Sequence, residues 1–427
     1  MPASLSDLGK RLIGALSAAN FIVVTAPDHI EVREVPGDDL LARMIMSQET
    51  VSALTERLGE QRVVETQTAA EIERLTLAAL TERPPRKRKP PPTYATIRVH
   101  YVTDRQNEGT DLEPLFGEGF AAEGDARLSY GTCDVSIPDG HEVGEVERPS
   151  GWQREDPERH IVILTHEGRP RAVFYRELHA ELDQASVRTA LLFVHGFNVT
   201  FEEAIQRTAQ LKSDLSYAGP VIAFCWPSMR LNVVTAAAVG KRAYNRAERN
   251  APAAQRDLQQ FLTELAAELE PSLVHLIAHS MGNRLLANSV ARLSLAPLPV
   301  RFATVILAAP DIKQVDFFAI AAAVAVSARA VTLYASSKDR ALEGAHFISA
   351  YPRAGDSGAG ITIYPGIDSI DATAARTDPA GHGYVTNSGL VIQDVSEVLN
   401  GTGVPRFWLR PKTSPAGKYW RIVRTKY

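Results

Sequence analysis

Residues 273–286 read LVHLIAHSMGNRLL, an apolar run that ends in Ala-His-Ser-Met-Gly and continues with helical spacing. The apolar run predicts a buried strand, and the residues after Gly282 predict a helix. A serine on a sharp turn between a buried strand and a helix is typical of a nucleophile elbow. The residues two positions before and after such a serine must be small, and here they are Ala278 and Gly282. Ser280 is therefore a candidate nucleophile, with helix capping as the alternative.

The surrounding chain predicts a parallel sheet covered by helices on both faces. From residue 189 onward, short apolar runs alternate with helical patterns, which is the pattern of such a sheet. The predicted strands lie at 190–194, 221–225, 273–278, 303–308, 330–335 and 361–364. Strands joined by Pro- and Gly-rich loops come before this region and suggest an antiparallel meander. They are predicted at 97–102, 133–137, 161–165 and 172–177.

A second loop at the same predicted sheet edge contributes to the candidate site. The strand at 190–194 ends in His195-Gly196-Phe197-Asn198. An oxyanion hole at a nucleophile elbow pairs the amide after the nucleophile with an amide from the loop after an earlier strand. We expect these amides to be those of Met281 and Phe197, with Gly196 allowing close approach of the backbone. His195 precedes the nucleophile in the chain, so we expect it to brace this loop rather than act as the base.

The order of the chain selects the remaining catalytic candidates, because the acid and then the histidine follow the serine in this arrangement. Asp339 lies in the loop after the strand at 330–335 and is the favoured acid. Asp311, in the loop after the preceding strand, is the rival and could instead cap a helix. His382 follows the last predicted strand, whereas His346 precedes it. His382 is therefore the favoured base.

Two aromatic residues are candidate substrate contacts. Trp226 follows the predicted strand at 221–225 and is expected at the same sheet edge. Tyr244 lies in the segment 228–256, which could line or cover a pocket. Packing of these loops is the alternative for both residues.

The length and composition indicate a large catalytic domain with a smaller second unit. The chain has 427 residues, 45% of them hydrophobic, enough to bury a sizeable core. Residues 1–83 predict a small α+β unit with strands at 21–25 and 30–35 and helices near 4–19, 38–60 and 68–82. Residues 84–93 are a proline-rich basic linker, 94–400 the catalytic domain and 401–427 a basic, aromatic tail.

Charge and cysteine content exclude several classes of function. A net charge of -4 argues against a protein that binds nucleic acid along its whole length. Basic residues cluster locally, and 86–89 and 401–427 are candidate contacts for a membrane surface or an acidic partner. The two cysteines, Cys133 and Cys225, show no metal-type spacing, and we expect no metal or cofactor. No stretch predicts a membrane span or a signal peptide, so we expect a cytoplasmic protein of undetermined oligomeric state.

These motifs together resemble a bacterial family of esterase- or lipase-like α/β-hydrolases, over about residues 94–400. The matching blocks lie at 101–105, 128–133, 135–138, 195–198, 226–228, 278–283 and 337–342. The resemblance implies the α/β-hydrolase fold, Ser280 as nucleophile and Asp339 as acid. It says little about the substrate, and the N-terminal unit and the basic tail lie outside it.

Three functions fit these residues. The first is a serine hydrolase that cleaves carboxylic esters of small molecules or lipids, as an esterase, lipase or thioesterase does. The second is an amidase or acyltransferase with the same Ser-His-Asp triad. The third is a hydrolase-like scaffold that binds a partner or a membrane, against which an intact triad in the expected order argues.

Overall fold

The computed structural model describes residues 93–122, 127–150, 153–228, 241–343, 351–358, 360–375 and 381–423. For 20–25, 29–34, 40–45, 61–65 and 233–240 it describes the backbone alone. The chain divides into two compact units, Met1–Pro92 and Thr93–Tyr427.

The first unit contains an antiparallel sheet whose strand order is β3-β2-β1-β4. Its strands are β1 (Asn20–Thr25), β2 (His29–Glu34), β3 (Leu40–Ile45) and β4 (Gln61–Glu65). The helix predicted near 38–60 is wrong for residues 40–45, because they pair with β2 along its length. Pairing of this kind overrides the weak helical preference of the local sequence. The helices predicted at 4–19 and 68–82, and linker residues 84–92, lie outside the described residues.

The second unit is built on a large, mostly parallel sheet. In the part of the chain that the structure describes, its strand order is β16-β17-β15-β14-β13-β12-β10-β11-β5-β8-β9. The strands are β5 (Tyr94–Thr103), β8 (Ser129–Pro138), β9 (Ile163–Arg169), β10 (Ala190–Val194), β11 (Val221–Cys225), β12 (Val274–His279), β13 (Phe302–Ala308), β14 (Ala328–Ala335), β15 (Asp368–Asp371), β16 (Leu409–Ser414) and β17 (Gly417–Ile422). A small two-stranded sheet pairs β6 (Arg105–Asn107) with β7 (Phe116–Phe120). The antiparallel pairs β5–β8 and β8–β9 form the meander that precedes the parallel strands.

Helices cover both faces of the sheet and bury a separate apolar cluster on each. The helices are α1 (Arg171–Gln184), α2 (Phe201–Asp214), α3 (Val233–Glu268), α4 (Gly282–Ser294), α5 (Gln314–Val326), α6 (Tyr384–Asn387) and α7 (Gly389–Leu399), with a 3₁₀ turn at Pro271–Leu273. One cluster takes apolar side chains from α1, α3, α4 and α5, and the other from α2 and α7. The central strands are buried on both faces, which explains why they are continuously apolar.

Two strands predicted from the sequence are wrong. Residues 172–177 lie in α1, where Phe174, Leu178 and Leu182 are buried at helical spacing. Residues 361–364 come before a turn at Gly366, which has a φ of 83°, and the strand that pairs with β14 is β15. Both runs are too short for the spacing of their apolar residues to distinguish a strand from a helix or a loop.

The C-terminal tail forms a hairpin that extends the sheet. Strand β17 pairs with β15 in parallel and with β16 in antiparallel orientation. Trp408 and Trp420 are buried in the core, while Phe407 is exposed. The buried carboxylate of Asp394 accepts hydrogen bonds from Arg406 and from the indole of Trp408. Arg406, Trp408 and Trp420 therefore pack within the fold, whereas Arg410, Lys412 and Lys418 are exposed.

The candidate site residues lie in loops at one edge of the large sheet. Strands β10 to β14 are parallel to their neighbours, so the loops after their carboxyl ends meet at one edge.

Cys133 and Cys225 are both buried and free. Among the described residues, no helix is long and apolar enough to cross a membrane.

Candidate active site

Ser280 stands on a strained turn between β12 and α4. Its φ is 54°, in the left-handed region that side chains other than glycine rarely occupy. Its amide donates to the carbonyl of Ala308 at 2.9 Å, and its carbonyl accepts from the amide of Asp311 at 3.1 Å. The turn is thus fixed by hydrogen bonds to the neighbouring strand end, and strain of this kind is typical of functional sites.

Two glycines let the neighbouring loop approach the serine. A Cβ on Gly282 would meet the backbone carbonyls of His195 and Val194, the latter at 2.7 Å. A Cβ on Gly196 would lie 2.8 Å from the Cβ of Ser280 and 3.4 Å from its Oγ. The glycine expected two residues after Ser280 therefore has a steric cause, because the end of β10 packs directly against Gly282.

Asp339 and His382 form a hydrogen-bonded acid–base pair. Nδ1 of His382 lies 2.7 Å from Oδ2 of Asp339. The carboxyl group is fully buried, and its Oδ1 accepts from the amide of Leu342 at 3.0 Å. A carboxylate can only accept, so Nδ1 of His382 donates the proton of this hydrogen bond.

Backbone contacts fix the loop that carries His382. Gly381 has a φ of 73°, and a Cβ there would collide with the carbonyl of Lys338. The ring of His279 lies 4.7 Å from that of His382 and donates from Nε2 to the His382 carbonyl at 3.2 Å. Burial lowers the pKa of His279 to about 3, with a smaller contribution from the charge of His382. His279, the residue before Ser280, therefore stays neutral and ties the histidine loop to the elbow.

The histidine in the second loop is a brace, as its hydrogen bonds show. Nδ1 of His195 lies 2.9 Å from the Gly196 carbonyl, and Nε2 accepts from the amide of Trp226 at 3.1 Å. Burial lowers the pKa of His195 to about 3, so the ring is neutral with its proton on Nδ1. The indole of Trp226 is fully buried and donates to the His195 carbonyl at 2.9 Å. A substrate contact by Trp226 stays a prediction.

The rival acid belongs to a different network. Oδ2 of Asp311 accepts from the hydroxyl of Tyr244 at 2.6 Å. Its Oδ1 lies 3.3 Å from Nε of Arg353 and 3.4 Å from Nη2 of Arg284. The Tyr244 ring packs edge-to-face on Phe197, with centroids 5.6 Å apart. Tyr244 thus supports the loop that carries one predicted oxyanion amide, and a direct substrate contact stays a prediction.

The two predicted oxyanion residues flank the elbow. Met281 is buried at the start of α4, and Phe197 is partly buried against the same core. Within the described part of the chain, neither backbone amide donates a hydrogen bond. Both amides are therefore available to a bound group.

A cavity of about 220 Å³ opens beside His382, and sequence reasoning missed several residues that line it. They include Arg148, Arg207 and Asn387, alongside Gly196 and His279. Helix α2 begins at Phe201, soon after the loop at 195–198. This short spacing places the first turns of α2 beside the loop and could have identified Arg207 as a candidate.

A larger cavity of about 540 Å³ lies at the antiparallel end of the sheet, lined by Tyr101, Tyr130 and Arg169 among others. It includes neither Asp339 nor His382, so size alone does not mark the site. In the described ranges, no group of three or more His, Cys, Asp or Glu side chains is placed to hold a metal ion.

Three solved structures are similar at low identity. A hormone-sensitive lipase from a metagenome library is 13% identical, covers 50% of this chain and 78% of its own, and has a TM-score of 0.30. A fungal esterase from Rhizomucor miehei is 11% identical, with 72% and 84% coverage and a TM-score of 0.33. An esterase from the archaeon Pyrobaculum calidifontis is 10% identical, with 55% and 93% coverage and a TM-score of 0.25. Likenesses at this level say nothing about the substrate.

No curated protein matches the chain. A family model matches residues 171–360, which include Ser280, the loop at 195–198 and Asp339, but end before His382. The resemblance inferred from the motifs is thereby confirmed for this part of the chain. Residues 171–360 match the family described as alpha/beta hydrolase of unknown function (DUF900), and the second unit has the α/β-hydrolase fold.

Proposed function

We propose that this protein is a serine hydrolase that cleaves carboxylic esters, with Ser280 as nucleophile, His382 as base and Asp339 as the acid that orients the base. The hydrogen bond between Asp339 and His382 supports the proposal most strongly. It occurs at the sheet edge where Ser280 occupies its strained turn. His279 connects the two parts, because it precedes Ser280 and donates to the backbone of His382.

The proposed reaction proceeds in two halves through an acyl-enzyme. Nε2 of His382 takes the hydroxyl proton as Oγ of Ser280 attacks the ester carbonyl. The tetrahedral intermediate collapses, the proton passes to the leaving alkoxide, and an alcohol departs. Water then attacks the acyl-enzyme with the same base, which releases the acid and restores Ser280. Asp339 stabilises the imidazolium that forms in both halves.

The amides of Phe197 and Met281 are proposed to bind the oxyanion. Both are free of hydrogen bonds within the described residues. Helix α4 starts directly after Met281, so its positive end adds to the stabilisation of negative charge there. An oxyanion donor contributes about 2.7–4 kcal/mol to the transition state.

The test is hydrolysis of p-nitrophenyl esters of graded chain length, together with labelling by a fluorophosphonate probe. Ser280→Ala should abolish both signals. Ser289→Ala is the matched control, because this serine is buried in α4 and its hydroxyl donates to the Gln255 carbonyl at 3.2 Å. Turnover of amides instead of esters would favour an amidase. A serine that takes no label, with no ester cleaved, would favour a binding scaffold.

A further inference from the structure

The peptide unit between Ser280 and Met281 determines where one oxyanion amide points, if the proposed function is correct. A peptide unit is planar and trans, so its N–H and C=O groups point in opposite directions. The Ser280 carbonyl accepts from the backbone amides of Asp311 and Asn283, each at 3.1 Å. These hydrogen bonds hold the peptide plane and thereby aim the N–H of Met281. The direction of that amide therefore depends on the loop that carries Asp311.

The side chain of Asp311 is held by a buried tyrosine hydroxyl from helix α3. Oδ2 of Asp311 accepts from the hydroxyl of Tyr244 at 2.6 Å, and the same hydroxyl accepts from Nη2 of Arg284 at 2.8 Å. Arg284 lies on α4 and donates from Nε to the Asp311 carbonyl at 2.5 Å. Hydrogen bonds to charged groups are stronger than those between neutral groups. The hydroxyl therefore ties α3 firmly to the loop after β13 and to the helix that follows the elbow.

The ring of the same tyrosine contacts the loop that carries the second oxyanion amide. The rings of Tyr244 and Phe197 meet edge-to-face, with centroids 5.6 Å apart and planes at 76°. This is a favoured geometry for two aromatic rings. Gly196, the preceding residue, has no side chain with which to hold the loop, so the ring contact bears directly on the position of the Phe197 amide. Tyr244 therefore contacts one half of the oxyanion hole through its ring and the other through its hydroxyl.

We propose that Tyr244 is a positioning residue that fixes the two oxyanion amides relative to each other, acting through Asp311 and Phe197. Oxyanion donors act only when they lie at hydrogen-bond distance from the place where the negative charge develops. Without the hydroxyl, Asp311 loses a donor, and the loop after β13 can shift relative to α3. The amides of Met281 and Phe197 then no longer meet the oxyanion together.

Tyr244→Phe tests the hydroxyl, because it removes one oxygen atom and keeps the ring. We expect kcat on p-nitrophenyl acetate to fall about tenfold, which is less than the roughly 10²-fold that a misplacement of about 1 Å can cost. KM should be unchanged, because the oxyanion forms only in the transition state. Rates are expressed per serine labelled to completion by the fluorophosphonate probe, so that unfolded protein is not counted.

The second substrate is p-nitrophenyl thionoacetate, in which sulfur replaces the carbonyl oxygen. Sulfur is a weak hydrogen-bond acceptor, so the oxyanion amides contribute less to the cleavage of this compound. Tyr244→Phe should therefore slow the thionoester less than it slows the ester. A general loosening of the fold would slow both substrates equally.

Tyr130→Phe is the matched control for the loss of a tyrosine hydroxyl. This hydroxyl donates to Oε2 of Glu264, also on α3, at 2.7 Å, and Tyr130 lines the larger cavity at the antiparallel end of the sheet. The control should keep both rates. Phe197→Leu removes the ring contact from the other side and should also lower kcat with KM unchanged. Combined with Tyr244→Phe, it should cost less than the product of the two single losses.

Two outcomes would overturn the inference and leave the proposed function intact. One is an unchanged kcat for Tyr244→Phe, and the other is an equal loss on the ester and the thionoester, each with a parent enzyme whose turnover depends on Ser280. If the parent hydrolyses neither substrate and Ser280 takes no label, the proposed function fails, and the inference with it.

Discussion

Replacing Asp339 with asparagine tests the acid–base pair without changing the size of the side chain. The carboxylate accepts the Nδ1 proton of His382 at 2.7 Å, and its other oxygen accepts from Leu342 at 3.0 Å. The amide oxygen of an asparagine can keep the bond to Leu342. Its NH₂ group then faces Nδ1 and, as a donor, favours the tautomer with the proton on Nε2. Such an imidazole cannot take the proton of Ser280.

We expect kcat of Asp339→Asn to fall about 10⁴-fold, the loss typical when a triad aspartate becomes asparagine. This corresponds to about 5.4 kcal/mol of transition-state stabilisation. The thermal midpoint should change little, because the volume and the bond to Leu342 are kept. The assay combines initial rates on p-nitrophenyl acetate with thermal unfolding of the same sample. A folded variant within tenfold of the parent rate would refute the assigned role of Asp339.

Asp311→Asn is the matched control, since Asp311 is the other buried aspartate that the sequence left open. It removes a buried carboxylate that lies 3.3 Å from Nε of Arg353 and 3.4 Å from Nη2 of Arg284, although Arg284 keeps its ion pair with Glu248. Breaking a buried ion pair costs about 3–5 kcal/mol, so we expect a clear fall in the thermal midpoint. The folded fraction should lose less activity than Asp339→Asn does. A larger loss of activity in Asp311→Asn than in Asp339→Asn would reassign the acid to Asp311.

Three further predictions concern the elbow, a charged histidine and the C-terminal hairpin. Gly282→Ala should abolish fluorophosphonate labelling and lower the thermal midpoint, because its Cβ would meet the Val194 carbonyl at 2.7 Å; full labelling would contradict the steric argument. His141 lies between two carboxylates, 2.9 and 2.8 Å away, which raise its pKa to about 9. The protonated His141 therefore stabilises the fold fully below about pH 6.5, and this contribution is lost as the pH rises through 9. His141→Gln should make the thermal midpoint fall less steeply between pH 6.5 and 9, and an unchanged slope of midpoint against pH would contradict this prediction. Asp394→Asn leaves the buried Arg406 without its counter-charge and should lower the free energy of unfolding in urea by about 3–5 kcal/mol; a loss below 1 kcal/mol would show that the hairpin contributes little.

The local sequence predicted those parts of the site that depend on one strand and one turn. The elbow at Ser280 was predicted because a buried strand, a small residue on each side and a following helix are all visible in consecutive residues. The loop after β10 was predicted for the same reason. The choice between Asp339 and Asp311 needed the fold, because both follow parallel strands and only the path of each loop decides which carboxylate meets His382.

The largest differences from the sequence-based expectations arose where pairing partners are distant. Residues 40–45 carry a helical composition but pair with β2, and the C-terminal segment looked like a charged tail but joins the sheet beside β15. A strand in either place gains its hydrogen bonds from residues far away in the chain, so its own composition is weak evidence. The polar cavity wall was missed likewise, since Arg148 and Arg207 come together only when α2 packs beside the loop of residues 141–150.

The sequence by itself determined the α/β-hydrolase fold and the candidate nucleophile, because both follow from apolar periodicity and small residues at a turn. Only the tertiary structure decided which acid pairs with His382, which histidines remain neutral and what lines the cavity. Hydrogen bonding, burial and charge act between side chains that are neighbours in space, and Asp339 and His382 are 43 residues apart in the chain.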